Sequence, residues 1–154
     1  MLIRLIAALC MLPTLTFAQP VLVPGFDECA DLQVGKGEPL GSCVRGAFGN
    51  CLAWPAGETA GTACFIDAKD EWGDLLGQRL QQVRDRGDER LGKIAEIETR
   101  YELERSLREC DRRMELMLLD VPQDDQSAYL RAQCEATAVA ATLVTLILRA
   151  GQAE

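Results

Sequence analysis

The chain has 154 residues, a formal net charge of −8 and no histidine. The lack of histidine excludes Ser-His-Asp and Cys-His catalysis as well as histidine-ligated zinc. An acidic surface of this size repels nucleic acid and anionic lipid and attracts cationic proteins, although the same charge would also simply keep an exported protein soluble. We therefore expect no nucleic-acid partner and no cofactor.

The first residues have the features of a signal peptide. Arg4 supplies a positive n-region, residues 5–15 form an apolar run, and Thr16 and Ala18 place small residues at a cleavage site. The run is shorter than the roughly 20 residues that a membrane span needs. Cleavage near Ala18 would remove Arg4 and Cys10, so that the mature chain carries six cysteines and a charge of −9. We predict a periplasmic or secreted protein with no membrane span in its mature part.

Residues 19–62 are predicted to form an irregular arm, because glycine and proline recur there and interrupt both helices and strands. Three cysteines fall in this arm and would have to hold it by cross-links, since it has little apolar surface of its own. The residues expected to touch the rest of the molecule are Phe48, Leu52 and Trp54.

A first long helix is predicted over residues 64–85. At 100° per residue its apolar side chains form one stripe, as expected for a helix with one buried face. The members of that stripe are Phe65, Trp72, Leu76 and Val83, with Leu75 and Leu80 at its margins.

A second helix is predicted over residues 89–119, with Asp88 as its N-cap and Pro122 beyond its end. Its apolar residues change face along its length. We expect the first half to contact the first helix and the second half to contact the third helix, either in one continuous helix or with a break near residue 102. The two apolar sets are Leu91, Ile94, Ile97 and Tyr101, and then Leu103, Leu107, Cys110, Met114 and Met117.

A third helix is predicted over residues 127–150, with caps offered by Asp124, Asp125 and Ser127. Residues 136–148 are almost wholly apolar, and this segment is too short to cross a bilayer. It is predicted to be either the most buried helix or a helix shared with a second copy of the chain, as a homodimer. Together the elements predict an all-α fold, a three-helix bundle or hairpin over residues 63–150 that is stapled by disulfides.

Six cysteines can pair in fifteen ways, and sequence does not choose among them. An up-down-up arrangement favours Cys64–Cys134. Cys43–Cys51 is the easiest local pair, which leaves Cys29 for Cys110. The chain has no Cys-x-x-Cys pair of the kind that redox enzymes use, which indicates structural disulfides.

The order of the motifs resembles one family of exported proteins. Glu98-x-x-Tyr101-x-x-x-Arg105 lies shortly before Cys110, and Cys134 opens a helix rich in threonine and alanine. The pattern, over roughly residues 60–148, resembles the LprI-type lysozyme-inhibitor domain family. That family typically has Gln-x-x-Trp-x-x-x-Arg-Asp here, so that Arg105 and the cysteines match whereas Glu98, Tyr101 and Ser106 depart.

The resemblance implies an exported, non-catalytic binding protein whose partner is a cationic, lysozyme-like peptidoglycan hydrolase. Glu98, Tyr101 and Arg105 would then be either binding or packing positions. The alternative is a structural or envelope-assembly module that self-associates through its apolar last helix. A third hypothesis is a small hydrolase that uses a carboxylate pair. We predict no enzyme, and assign no catalytic or metal-binding residue.

Overall fold

The computed structural model of the chain describes Cys29, Gln33, Lys36 and residues 41–86, 88–120 and 122–151. The predicted signal peptide over residues 1–18 lies outside these residues. The described part is helical and contains no strand, so the predicted all-α class is confirmed. Its helices are α1 (Gly41–Ala47), α2 (Gly49–Leu52), α3 (Thr59–Arg86), α4 (Glu89–Met117) and α5 (Asp125–Gly151).

The three long helices run up, down and up. Helices α3 and α5 are parallel, since Phe65 packs on Tyr129 and Lys69, one turn further, binds Glu135. Helix α4 runs antiparallel to both neighbours. It is continuous from Glu89 to Met117, so the alternative of a break near residue 102 is not realised.

Side-chain caps fix two of the helix starts. Asp88 accepts a hydrogen bond from the backbone N–H of Leu91 at 2.7 Å, so the prediction that Asp88 is the N-cap is confirmed. At the start of α5, Asp124 accepts from the N–H of Ser127 at 2.8 Å, and the Ser127 hydroxyl accepts from the N–H of Asp124 at 3.0 Å. These exchanges satisfy N–H groups that a helix start leaves without intrahelical partners.

Aromatic side chains from three segments meet at the centre of the core. Phe65 is fully buried, and its ring centroid lies 5.4 Å from that of Tyr129 in an edge-to-face contact. Phe48 lies 5.7 Å from Phe65 and 5.8 Å from Trp72. The predicted apolar stripe of the first long helix therefore forms one wall of this core.

Helix α5 is the most buried of the long helices, as predicted. Ala136 and Ala140 are completely buried and Leu143 is 2 % exposed. The buried Thr142 hydroxyl donates to the Ala138 carbonyl at 2.9 Å. By length and composition the segment Asp125–Ala150 could also cross a membrane, but buried core helices pass the same test, and 44 % of its most apolar window is buried in the bundle.

The described part of the predicted arm is more regular than expected, because residues 41–52 form α1 and α2 rather than a loop. The arm also ends earlier than predicted, since residues 59–62 already belong to α3, which was expected to begin at residue 64. Phe48 anchors it in the core as predicted. Leu52 and Trp54 are each 45 % exposed and are not part of that core. The Trp54 backbone still contacts the bundle, since its carbonyl accepts from the Tyr129 hydroxyl at 3.5 Å.

The cysteines pair as Cys29–Cys43, Cys51–Cys64 and Cys110–Cys134. The expected pairs Cys64–Cys134, Cys43–Cys51 and Cys29–Cys110 are therefore wrong.

The helical conformation of residues 41–52 explains why the expected Cys43–Cys51 pair does not form. Eight helical residues rise by about 12 Å, whereas disulfide-bonded Cα atoms lie about 6 Å apart, so Cys43 and Cys51 do not reach each other across α1 and α2. Cys134 lies on the side of α5 that faces α4, as do Arg131 and Arg149, which bind Asp111 and Glu98 of that helix. Cys64 is instead held by Cys51 of α2, and this bridge fixes the arm to the bundle.

The first half of α4 buries a different face against α3 from the one predicted. It meets α3 through small residues: a Cβ built on the buried Gly92 would lie 2.9 Å from Cγ of Arg84. The set expected to contact α3 points to solvent, with exposed fractions of 40–61 %; its members are Leu91, Ile94, Ile97 and Tyr101. The prediction for the second half is confirmed, because Cys110 and Met114 are buried and Cys110 is bonded to α5.

Candidate functional site

The three positions suggested by the family motif lie together on the outward face of α4. Tyr101 is 61 % exposed, and the guanidinium of Arg100 lies 5.2 Å from its ring centroid. Glu98 pairs with Arg149 of α5, and Arg105 binds Glu102 at 2.7 Å. None of the three is a core position, so the packing alternative does not hold for them.

A groove lies at one end of the bundle, where the start of α3, the end of α4 and the start of α5 converge. Its volume is about 320 Å³ and most of its surface is apolar. The apolar residues along it are Ile66, Met114, Leu118, Ala128 and Ala132. A concave apolar surface of this kind suits a large aliphatic or aromatic side chain of a partner.

Charged groups border the groove along α5, where ion pairs connect this helix to both α3 and α4. Lys69 Nζ lies 3.0 Å from Glu135, and Arg131 lies 2.9 Å from Asp111 and 3.9 Å from Glu135. The two cations and two carboxylates compensate one another. This chain of ion pairs holds the wall of the groove in place and adds no net charge to it.

The connection from α4 to α5 projects beyond the groove and combines exposed leucines with carboxylates. Leu118 borders the groove, and Leu119 is 79 % exposed, the highest value among the exposed large apolar residues. Between Arg113 and Arg131 the chain has no lysine or arginine. It has instead four acidic residues there: Glu115, Asp120, Asp124 and Asp125. We call residues 115–120 and 122–125 the acidic leucine loop.

The two arginines that precede this loop share one carboxylate within α4. Arg112 and Arg113 donate hydrogen bonds to Glu109 and lower the pKa of its carboxyl group to about 2, and the hydrogen bond from Arg112 has the larger effect. The same contact raises the pKa of Arg112. The two arginines and Glu109 together carry one net positive charge, so the four carboxylates of the acidic leucine loop still leave this end of the molecule negative.

The Cys110–Cys134 bridge lies at the base of the loop and joins the two helices that carry it. Together with the capping exchange between Asp124 and Ser127, it fixes both ends of the loop. A surface held in this way loses little conformational freedom on binding, which favours affinity. Among the described residues no group of three or more histidine, cysteine or acidic side chains could hold a metal ion.

Comparison of the chain with protein-family models, with curated proteins and with solved structures finds no match. The candidate site therefore depends on the geometry of this chain alone. Sequence reasoning missed both the groove and the acidic leucine loop. In the sequence, the loop is indicated by four carboxylates and consecutive leucines in a stretch that has no lysine or arginine. The groove could not be predicted in this way, because it forms only when three helices pack together.

Proposed function

We propose that the protein is an exported, non-catalytic binding protein that inhibits lysozyme-type peptidoglycan hydrolases by occluding their substrate cleft. The observation that carries this proposal is the acidic leucine loop beside an apolar groove. A cationic protein would be drawn to the carboxylates, and an apolar side chain on it would fill the groove. The resemblance to LprI-type domains supports the same class of partner.

The disulfides agree with an exported protein. Three disulfide bridges in one small domain are typical of proteins outside the cytoplasm, where the environment is oxidising. We propose that the leader over residues 1–18 directs the chain to the periplasm or the medium, and that cleavage near Ala18 releases it. The mature domain would then meet peptidoglycan hydrolases directly.

The carboxylates of the loop lead to a specific expectation about the rate of association with the partner. Carboxylates at the edge of an interface act mainly by accelerating encounter with a cationic partner, and that acceleration falls as salt screens the charges. We therefore expect inhibition of a cationic lysozyme to weaken as the salt concentration rises. The alternative of self-association through the last helix receives no support from α5, whose apolar residues are buried or half-buried against the chain's own core.

The test is an inhibition assay with a lysozyme of high isoelectric point, using the full mature protein. Asp120→Asn and Asp125→Asn together remove two charges from the loop. Asp67→Asn and Asp74→Asn remove two charges from the exposed face of α3 and form the control with the same net charge. We expect the loop variant to lose at least about tenfold in association rate at low salt and the control to change by less than about threefold.

A second variant tests the apolar part. Leu118→Asp places a charge at the groove and should abolish inhibition, whereas Ile66→Val should preserve it. Absence of inhibition by the unaltered protein at low salt, or equal effects of the loop and control variants, would contradict the proposal.

A further inference from the structure

The first half of α4 carries a second exposed apolar surface, far from the groove. We define it as the α4 stripe, made of Leu91, Ile94, Ile97 and Tyr101. From Ile97 to Leu118 the helix rises by about 30 Å, so the stripe and the groove are separate surfaces. Monomeric proteins seldom expose large apolar side chains in a contiguous row, and such rows mark interaction surfaces.

The stripe exists because α4 packs on α3 through small residues. Gly92 and Thr99 are buried, and Ala95 packs against the core. Since these positions alternate with the stripe along the helix, the large side chains must point outward. The arrangement leaves a straight helical surface rather than a pocket, and the natural complement of such a surface is another helix.

The charges on either side of the stripe are arranged in a way that suits a copy of the same helix. Arg90 precedes it and Glu104 follows it, each seven residues from Ile97. In an antiparallel pair centred on Ile97, Arg90 of one copy lies beside Glu104 of the other, and the two-fold axis repeats this contact at both ends. Ile94 then lies beside Tyr101 of the other copy, and the two Ile97 side chains meet at the axis.

A parallel pair would place Arg90 beside Arg90 and Glu104 beside Glu104, so these two residues favour the antiparallel register. Lys93, which would approach Arg100 of the other copy, is already bound to Glu96 at 3.0 Å. Arg105, which would also approach Arg90 of the other copy, is already bound to Glu102 at 2.7 Å, and this reduces the repulsion. Glu104 has only a long contact, 3.8 Å, with Arg108. Its carboxylate is therefore available for a better partner.

We propose that the α4 stripe is a self-association surface at which two copies of the chain pair antiparallel about a two-fold axis at Ile97. The pairing covers Leu91, Ile94, Ile97 and Tyr101 in both copies. It leaves the two grooves at opposite ends of the dimer, so that each copy keeps its groove and its acidic leucine loop open. The inference concerns assembly and is independent of which protein the groove binds.

The test uses charge reversal, because the residues concerned are exposed and their exchange leaves the core untouched. The oligomeric state of the mature protein is measured by analytical ultracentrifugation at protein concentrations from about 1 µM to about 1 mM. This range also detects a weak dimer, whose dissociation constant is high. Arg90→Glu and Glu104→Arg should each weaken dimerisation at least about tenfold, since each puts like charges together twice. The double variant R90E/E104R should restore it to within about threefold.

A further pair of variants tests the axis. Ile97→Asp should yield a monomer because two carboxylates meet at the two-fold axis, whereas Gln78→Asp on the exposed face of α3 should dimerise like the unaltered protein. Circular dichroism confirms in each case that the helices are intact. A monomer at all concentrations, or a double variant as weak as the single ones, would overturn the proposal.

Discussion

Gly92 of α4 lies directly against Arg84 of α3: a Cβ on Gly92 would be 2.9 Å from Arg84 Cγ and 3.2 Å from Arg84 Cα. This contact sets the distance between the two helices at the hairpin end of the bundle. It also decides which face of α4 is buried, because only a residue without a side chain fits there. The outward position of the α4 stripe follows from it.

Replacement of Gly92 by alanine should therefore fail to stabilise the protein. In an exposed helix interior a glycine-to-alanine change typically gains about 1 kcal/mol. Gly73 and Gly77 of α3 have open space around the position of a Cβ, so Gly73→Ala and Gly77→Ala should each show that gain. At Gly92 the close approach of the Arg84 backbone should cancel or reverse it. Urea unfolding of the three variants measures the differences, and an equal gain at all three positions would contradict the close contact.

The Cys110–Cys134 bridge should contribute substantially to stability. It closes a segment with a sequence separation of 24, and the chain-entropy model gives about 3 kcal/mol for a loop of this size. Replacement of both cysteines by alanine should lower the free energy of unfolding by about that amount, as measured by urea unfolding. Peptide mapping without reduction checks the pairing itself, and a peptide that links Cys64 to Cys134 would contradict it.

Phe65 should be among the residues most sensitive to truncation. It is fully buried and contacts both Phe48 and Tyr129. Phe65→Ala should cost about 3–5 kcal/mol, as large-to-small changes of buried aromatic residues do. Leu119→Ala serves as the control, since that side chain is 79 % exposed and its loss should change stability by less than about 0.5 kcal/mol. Thermal and urea unfolding distinguish the two cases, and similar losses would show that Phe65 is not at the centre of the core.

The Glu109 carboxyl group should titrate well below its ordinary range. Arg112 and Arg113 lower its pKa from 4.5 to about 2 in the folded protein. A lowered pKa means that the interaction stabilises the fold above pH 4.5 and is lost as the pH falls from 4.5 towards 2. The difference in unfolding free energy between the unaltered protein and Glu109→Gln should shrink over that interval. A carbon-detected NMR titration of Glu109 gives its pKa directly, and Arg112→Ala should raise it. A midpoint near 4.5 in the unaltered protein would show that the two arginines do not bind the carboxylate.

Much of the architecture was predictable from local patterns. The starts of α4 and α5 were indicated by Asp88 and Asp124, whose side chains cap the backbone irrespective of tertiary packing. The buried face of α3 followed from the spacing of Phe65, Trp72 and Leu76. The composition of α5 indicated a buried helix because so little of its surface is polar.

The errors in the cysteine pairs and in the buried face of α4 have separate physical causes. The cysteine pairs were assigned on the assumption that residues 41–52 form a loop, whereas helical rise separates Cys43 from Cys51 and brings Cys51 to Cys64. The face of α4 was assigned to its large apolar side chains, whereas Gly92 and Thr99 made the closer contact. For Cys43 and Cys51 the deciding quantity was the helical rise within residues 41–52. For α4 it was the distance between two helices, which local sequence does not contain.

The sequence by itself determined that this chain is helical, approximately where α4 and α5 begin, and which side of α3 is buried, because caps and apolar periodicity act within a few residues. It placed the start of α3 at residue 64, whereas this helix begins at Thr59. Only the tertiary structure decided which cysteines meet, which side of α4 remains exposed, and that Ile66, Met114 and Leu118 enclose one groove beside an acidic loop. Those outcomes depend on how closely whole helices approach each other, and that approach is set jointly by residues far apart in the chain.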